Sequence, residues 1–278
     1  MAKRLEGRVA FITGASRGLG EYCAVGYGRE GAKVAIAART EEVRDPRLPG
    51  TIHHAAQLVE EAGGEALPVV CNVADPASIA AAVEGVLERW GRIDILMNNA
   101  AIQPPGGNAD IQARHWRLMY RVNVHGCFDC VQAVLPGMRA QGSGNIINIS
   151  SAATLGGTPY GGSKRAVEAL TEGLAHELAA EGIAVNALKP VGAIETPGFR
   201  FAQVTREDDR SASSELPPRD SYVEAAVLLA RQTPDTFTGR VHNDAQVIGY
   251  LADEATKQHF RDMNPKRWVT VMEAVDVV

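Results

Sequence analysis

The sequence predicts a single-domain α/β fold in which helices cover both faces of a doubly wound parallel sheet, and three observations carry that expectation. Short β-rich runs alternate with longer helical patterns, the runs are apolar throughout rather than alternating, and a glycine-rich turn joins the first run to the first helix. A continuously apolar run is the pattern of a strand buried on both faces, which a parallel sheet requires.

The runs are VAFIT (9–13), VAIA (34–37), ALPVV (66–70), IDILM (93–97), NIINI (145–149), IAVNAL (183–188) and GRVHN (239–243). Between them the helical patterns carry start and stop signals. In DPASIAAAVEGVLERW (75–90), Asp75 is placed to cap, Pro76 to occupy the first turn, and Gly91 to end the helix. Two segments depart from the rhythm. Residues 40–51 hold two prolines and a glycine where a short connection would suffice, so a longer surface loop is expected there. Residues 197–220 are polar and charged without a persistent period and read as a mobile flap over the substrate side, or as a plain surface connection. Residues 1–250 make one domain, and 251–278 a C-terminal extension carrying Phe260 and Trp268.

Composition narrows the function classes. A chain of 278 residues that is 45% hydrophobic buries a full core. The formal charge of −5 is spread without long single-sign runs, which points away from nucleic acid and anionic membranes and toward small-molecule partners. No run is long enough to span a bilayer and no leader pattern opens the sequence, so a soluble cytoplasmic protein is expected. Cys23, Cys71, Cys127 and Cys130 are too scattered for a disulfide framework. Cys127 and Cys130 form Cys-x-x-Cys inside a helical pattern with no second ligand pair, and read as small buried residues one turn apart. No metal site is expected.

The first strand runs into Thr13-Gly14-Ala15-Ser16-Arg17-Gly18-Leu19-Gly20 and a helical pattern follows. Glycines there let backbone amides approach a pyrophosphate, and the helix presents its positive end to the anion, as in a Rossmann-type dinucleotide site. At the end of the second run, where a carboxylate would bind a free ribose 2′-hydroxyl, the sequence reads Ala37-Ala38-Arg39. Arg39 with Arg17 can clamp a 2′-phosphate, which favours NADP(H) and leaves NAD(H) possible; solvated surface arginines are the alternative. Farther on, Tyr160 and Lys164 are four apart on one helix face. A neighbouring ammonium favours phenolate, so Lys164 is expected to lower the Tyr160 pKa into acid/base range. Ser151 follows the fifth run and can hydrogen-bond a reacting oxygen, with Ser150 an equal candidate.

In order, TGASRGLG (13–20), CNV (71–73), NNA (98–100), Asn123 in VNVHG, NISS (148–151), YGGSK (160–164) and VNALKP (185–190) resemble the short-chain dehydrogenase/reductase family over about residues 5–250. That resemblance implies an NAD(P)H-dependent oxidoreductase interconverting a carbonyl and an alcohol, with Asn123, Ser151, Tyr160 and Lys164 catalytic. It implies a cofactor site of Gly14, Ser16, Arg17, Gly18, Leu19, Arg39, Asn72, Val73, Asn99, Ala100, Tyr160, Lys164, Pro190, Ile194 and Thr196. Asn98 joins Asn99 in holding the fourth strand's end beside the cofactor, and Asn123 supports a water that reaches Lys164.

The chain departs from the family pattern at Asn72, Ala101 and Val191, in the shorter stretch between Ser151 and Tyr160, and in Thr196 falling one residue late. The last feature and the loop 45–52 look like the hydroxysteroid-dehydrogenase-like branch. Leu155, Phe199 and Phe201 suggest an apolar pocket, or equally core. The resemblance and the apolar stripe Val167, Leu170, Leu174 and Leu178 suggest a homodimer or homotetramer built on this helix and a long one over roughly 109–140. A non-catalytic NADP(H) sensor or scaffold is the competing reading, opposed by the intact Ser, Tyr, Lys and Asn. A nucleotide-sugar epimerase or dehydratase would need a larger C-terminal region.

Overall fold

The computed structural model describes residues 3–204 and 219–263. Its elements run β1 (Val9–Thr13), α1 (Gly18–Arg29), β2 (Lys33–Ala38), α2 (Ile52–Glu61), β3 (Glu65–Val70), α3 (Pro76–Trp90), β4 (Ile95–Asn98), α4 (Ala113–Tyr120) and α5 (Gly126–Gln141). They continue β5 (Gly144–Ile149), α6 (Pro159–Leu178), β6 (Ile183–Lys189), α7 (Pro197–Val204), α8 (Arg219–Ala230), β7 (Val241–Asn243), α9 (Asp244–Leu251) and α10 (Glu254–Met263).

The seven strands form one sheet in the order β3-β2-β1-β4-β5-β6-β7, and every pairing is parallel. Successive side chains of a strand point to opposite faces, and both faces are covered. Ala10 and Ile12 of β1, Val34 and Ile36 of β2 and Ile95 and Met97 of β4 pack with Tyr27 of α1, Ile52 of α2, Tyr222 of α8 and Val247 of α9. Phe11, Ala35 and Leu96 point the other way, into Ile79 of α3, Val134 of α5 and Leu178 of α6. The expected fold is the observed one. The run 66–70 lies on an edge strand, however, and although residues 66–70 are apolar none of them is fully buried and Val70 is exposed.

The chain builds outward from β1 to β3, then crosses back to add β4 on the other side of β1. The crevice outside the carboxyl ends of β1 and β4 is the switch point at which doubly wound sheets bind ligands. Here it lies between the glycine turn after Thr13 and the segment after Asn98.

The segment expected to be a flap is helical where it is described: Pro197–Val204 is α7 and Arg219 opens α8, while the residues between lie outside the described ones. Glu195, just before α7, pairs with Arg200 within it, and the described part of the segment is a helix of only eight residues, too short to show a repeating period in sequence. The long helix begins at Ala113 rather than near 109 and contains a π-helical turn, Arg121–His125. In the C-terminal extension, α10 sends Phe260 into the core beside α8 and α9; Trp268 lies outside the described residues. Among the described residues no helix is long and apolar enough to cross a membrane.

The start of α3 is as read from sequence: Asp75 accepts from the Ala77 amide at 3.0 Å, Pro76 sits in the first turn, and Gly91 ends the helix at φ 76°. A side-chain cap is worth about 1 kcal/mol. Asp75→Ala is expected to lower the unfolding free energy by about that amount in a urea titration, and Asp75→Asn by only a few tenths.

Candidate active site

The glycine turn is packed directly onto the end of β4. Gly14, at φ 65°, lies where a Cβ would stand 2.8 Å from Ala100 Cα, and a Cβ on Gly20 would stand 2.5 Å from Asn99 Nδ2. The Asn99 amide donates to Thr13 O and Gly14 O at 2.9 and 3.1 Å, and Thr13 Oγ1 accepts from the Asn99 and Ala100 backbone N–H groups. Ser16 is buried and Leu19 packs on the core. The first turn of α1 carries no side-chain cap, whereas α2, α3, α6 and α9 are capped by Thr51, Asp75, Thr158 and Asn243. Backbone donors at an uncapped, glycine-flanked helix start suit a phosphate.

At the tip of β2, Arg39 is exposed and has no ion pair among the described residues. Arg17 is held differently. Its guanidinium donates to Pro49 O, Gly50 O and Thr40 Oγ1, all in the loop after β2. Burial, then the charge of Arg39, pushes its pKa down. On the β3 side, Asn72 Oδ1 accepts from the Ala74 amide and its own N–H donates to Ser78 Oγ, while Val73 is buried against Gly126.

The other half of the site forms where β5 and β6 end over the first turns of α6. Thr158 caps α6, accepting from the Gly161 amide at 3.0 Å, and Pro159 occupies its first turn. This places Lys164 Nζ 2.6 Å from Ile149 O, as donor, and 5.8 Å from the Tyr160 ring centre. Ser151 caps a 3₁₀ turn, Ala152–Leu155, accepting from Ala153 N, and stands near enough to Tyr160 for its hydroxyl to favour the phenolate. Ser150 is buried and donates to Glu168 Oε1 at 2.7 Å. The two serines left open by the sequence therefore face different partners.

Asn123 lies in the π-helical turn, where the extra residue turns its side chain inward. Its amide donates to Ile102 O and Ser163 Oγ, its oxygen accepts from Ile102 N, and Ser163 Oγ donates to Tyr160 O. Asn123 is thus joined to the Tyr160 backbone through Ser163. Beside it, a cavity of about 10 Å³ is lined by Thr13, Asn98, Asn123, Cys127 and Lys164. That is room for about one water among polar partners.

Electrostatics correct one expectation. Tyr160 is pushed up to about 12 by burial, against which the Ser151 hydroxyl acts. Lys164 is pushed down to about 8, also by burial. The expected lowering of Tyr160 by Lys164 does not occur: desolvation dominates, and the ammonium is directed at Ile149 O rather than at the phenol. Cys127 is buried and its thiol pushed up to about 12, the reverse of a reactive thiolate. Among the described residues no group of His, Cys, Asp or Glu side chains is placed to hold a metal.

Beyond β6, Pro190 is partly buried, Ile194 is buried, and Thr196 approaches Gly18, whose Cβ would stand 3.2 Å from Thr196 Cβ. Thr196 Oγ1 also accepts from the Phe199 amide as α7 begins. Leu155 does not line an apolar pocket; at 87% exposed it projects into solvent, because the 3₁₀ turn carries it outward. Phe199 and Phe201 are partly buried on α7, and the Arg47 guanidinium lies 4.8 Å above the Phe201 ring. Of the apolar stripe on α6, Val167, Leu174 and Leu178 are buried within this chain and Leu170 partly so.

Sequence reasoning missed Thr13, Ser163, Glu168 and Asp244. Thr13 and Ser163 stand inside motifs that were read for their neighbours. Buried Asp244 accepts from Val191 N at 2.6 Å and pins the loop after β6, a contact between residues 53 apart that carries no local signal.

Residues 8–206 match the short-chain dehydrogenase family, and the chain belongs to that family. Among curated relatives it is 35% identical over 251 residues to hydroxysteroid dehydrogenase-like protein 2 of Homo sapiens, and 34% identical to that of Bos taurus. In both cases the match covers 88% of this chain and 58% of the relative, so the chain spans little more than half the relatives' length. Among solved structures it is similar to a short-chain dehydrogenase homologue from Mycobacterium thermoresistibile, with TM-score 0.78, 32% identity and coverage of 88% and 87%. It is also similar to a Beutenbergia cavernae protein assigned as an NAD(P)-dependent gluconate 5-dehydrogenase with NADP bound, with TM-score 0.76, 31% identity and coverage of 88% and 97%.

Burial of Lys164 sets a pH dependence of stability. Its ordinary value of 10.5 holds in the unfolded chain, so between about pH 8 and 10.5 the unfolded chain binds more protons and stability rises with pH. The cost of the buried charge, roughly 3 kcal/mol, is fully present below that window. The stability difference between wild type and Lys164→Met, followed by denaturant unfolding, is expected to close in favour of wild type as pH rises from 8 to 10.5.

Proposed function

We propose that the protein is an oxidoreductase that interconverts an alcohol and a carbonyl compound with NADP(H), Tyr160 serving as general acid and base. The observation that carries this reading is the convergence of Tyr160, Ser151 and Lys164 where β5 ends and α6 begins, on the side of the switch-point crevice facing the glycine turn. The residues present fit a dinucleotide: an uncapped helix start lies behind a glycine turn, and an exposed guanidinium with no ion pair among the described residues stands at the tip of β2.

When bound, the nicotinamide supplies or accepts the hydride. The chain's own residues handle the proton and the oxygen. Tyr160 donates its phenolic proton to the carbonyl oxygen as charge develops there and takes it back in the reverse direction. Ser151 donates a hydrogen bond to the same oxygen, stabilising it as it becomes an alkoxide. Lys164 uses one hydrogen on Ile149 O and has others for the nicotinamide ribose hydroxyls and for a water in the small cavity beside Asn123. That water gives protons a route from the phenol toward solvent. The raised phenol keeps its proton near neutral pH, which suits donation to a carbonyl oxygen, and the Lys164 ammonium, lowered by burial, gives up its proton more readily as pH rises.

A 2′-phosphate near Arg39 gains charge-assisted hydrogen bonds and relieves the repulsion between Arg39 and Arg17, while β2 ends in Ala37-Ala38-Arg39 rather than in a carboxylate that would favour a free hydroxyl. Gly14, Ser16, Gly18 and Leu19 hold the pyrophosphate; Asn72, Val73, Asn99 and Ala100 border the adenine and its ribose; Pro190, Ile194 and Thr196 receive the carboxamide. The exposed apolar side chains Trp116, Leu118 and Phe128 on α4 and α5 support the reading of a homo-oligomer. Hydroxysteroid dehydrogenase-like relatives point to a fairly apolar secondary alcohol or ketone.

The test is a fluorescence titration with NADPH and NADH, then loss of nicotinamide absorbance with a panel of ketones. NADPH is expected to bind about tenfold tighter or better, and Tyr160→Phe to lower turnover by about 10²- to 10⁴-fold with NADPH affinity retained. Tight binding with no turnover on any ketone would instead favour a dinucleotide sensor.

A further inference from the structure

The loop after β2 is longer than its connection requires, and its contacts run in two directions. Its base is closed by the Ile52 N–H donating to Thr40 O at 2.9 Å, next to the Thr51 cap of α2. Its returning limb lies on the glycine turn: Gly50, at φ 106°, has no room for a side chain because a Cβ would collide with Ser16 O. Arg17 fastens that limb, its Nε donating to Pro49 O at 3.0 Å and its Nη2 to Gly50 O at 3.0 Å and Thr40 Oγ1 at 3.2 Å. The middle of the loop reaches the opposite side. Asp45 accepts from the Arg47 amide and guanidinium, and that guanidinium lies over Phe201 of α7. Since α7 begins directly after Thr196, which touches Gly18, the loop and α7 enclose the glycine turn from two sides and meet at Arg47.

Resting on the cofactor reading above, we propose that residues 40–51 form a strap over the dinucleotide cleft, fastened by Arg17 and joined to α7 through Arg47, leaving Arg39 to read the 2′ group. Arg17 is then a positioning residue. Its planar fork serves three loop oxygens at once, a geometry an ammonium does not reproduce. Arg39 supplies selectivity, and the strap supplies affinity common to both dinucleotides. Because Arg47 stacks on Phe201, ordering of the strap by a dinucleotide also orders α7 on the substrate side.

Amide hydrogen exchange of the full chain tests this, read by mass spectrometry on peptides covering 40–52 and 197–204, with and without NADPH or NADH, beside titrated affinities. Arg17→Ala is expected to speed exchange in 40–52 on the order of tenfold without ligand. It should weaken NADPH and NADH alike, with Arg17→Lys failing to restore either property. Arg39→Ala should reduce the NADPH:NADH affinity ratio by about tenfold and leave exchange in 40–52 unchanged. NADPH should protect 197–204 in wild type and not in Arg47→Ala. The proposal is overturned if Arg17→Ala leaves exchange in 40–52 unaltered, if it lowers the affinity ratio as Arg39→Ala does and is rescued by lysine, or if α7 protection survives in Arg47→Ala. Failure of either dinucleotide to bind wild type would sink the cofactor reading instead, while the ligand-free exchange still decides whether Arg17 fastens the strap.

Discussion

Gly14 and Gly20 leave no space for a Cβ where β1 turns into α1, because Ala100 and Asn99 already occupy it. This close approach holds the two halves of the site in register. The Asn99 amide bonds the carbonyls of Thr13 and Gly14, and the Thr13 hydroxyl takes the amides of Asn99 and Ala100, so four hydrogen bonds tie the turn to the end of β4. On the proposed reading, a dinucleotide laid on the turn would have its position set relative to β4 and β5, and hence relative to Ser151 and α6. The parallel sheet makes that possible by bringing the carboxyl ends of β1, β4, β5 and β6 to one edge.

Burial governs the chemistry at the far end. The same desolvation that pushes the Tyr160 phenol up to about 12 pushes the Lys164 ammonium down to about 8, so both are held closer to their neutral forms. The sequence expectation treated the two as an isolated pair on a helix, where Coulomb attraction to phenolate is the leading effect. In the folded chain the ammonium has its own partner in Ile149 O, and the phenol answers mainly to burial, with Ser151 acting against it. The π-helical turn contributes in the same region, directing Asn123 into the backbone of the loop at Ile102 and through Ser163 to Tyr160.

Much of this architecture was legible in the sequence. Continuous apolar runs separated by capped helices led to a parallel sheet, because local hydrogen-bonding chemistry and burial on two faces leave direct marks on residue choice; Asp75, Pro76 and Gly91 act as their types predict. The order of the motifs brought Tyr160, Lys164, Ser151 and the glycine turn into consideration together, since each stands at the end of a strand or the start of a helix. Tertiary structure decided what local pattern does not encode. It set Ser150 on Glu168 and Ser151 on Tyr160, carried Leu155 out to solvent, turned the start of the supposed flap into α7, and placed Arg17 on a loop more than 20 residues away. Sequence composition and periodicity determine which segments pair and which faces are buried, because those depend on neighbours along the chain; the partner of each polar side chain depends on contacts between distant segments, and only the folded chain brings those segments together.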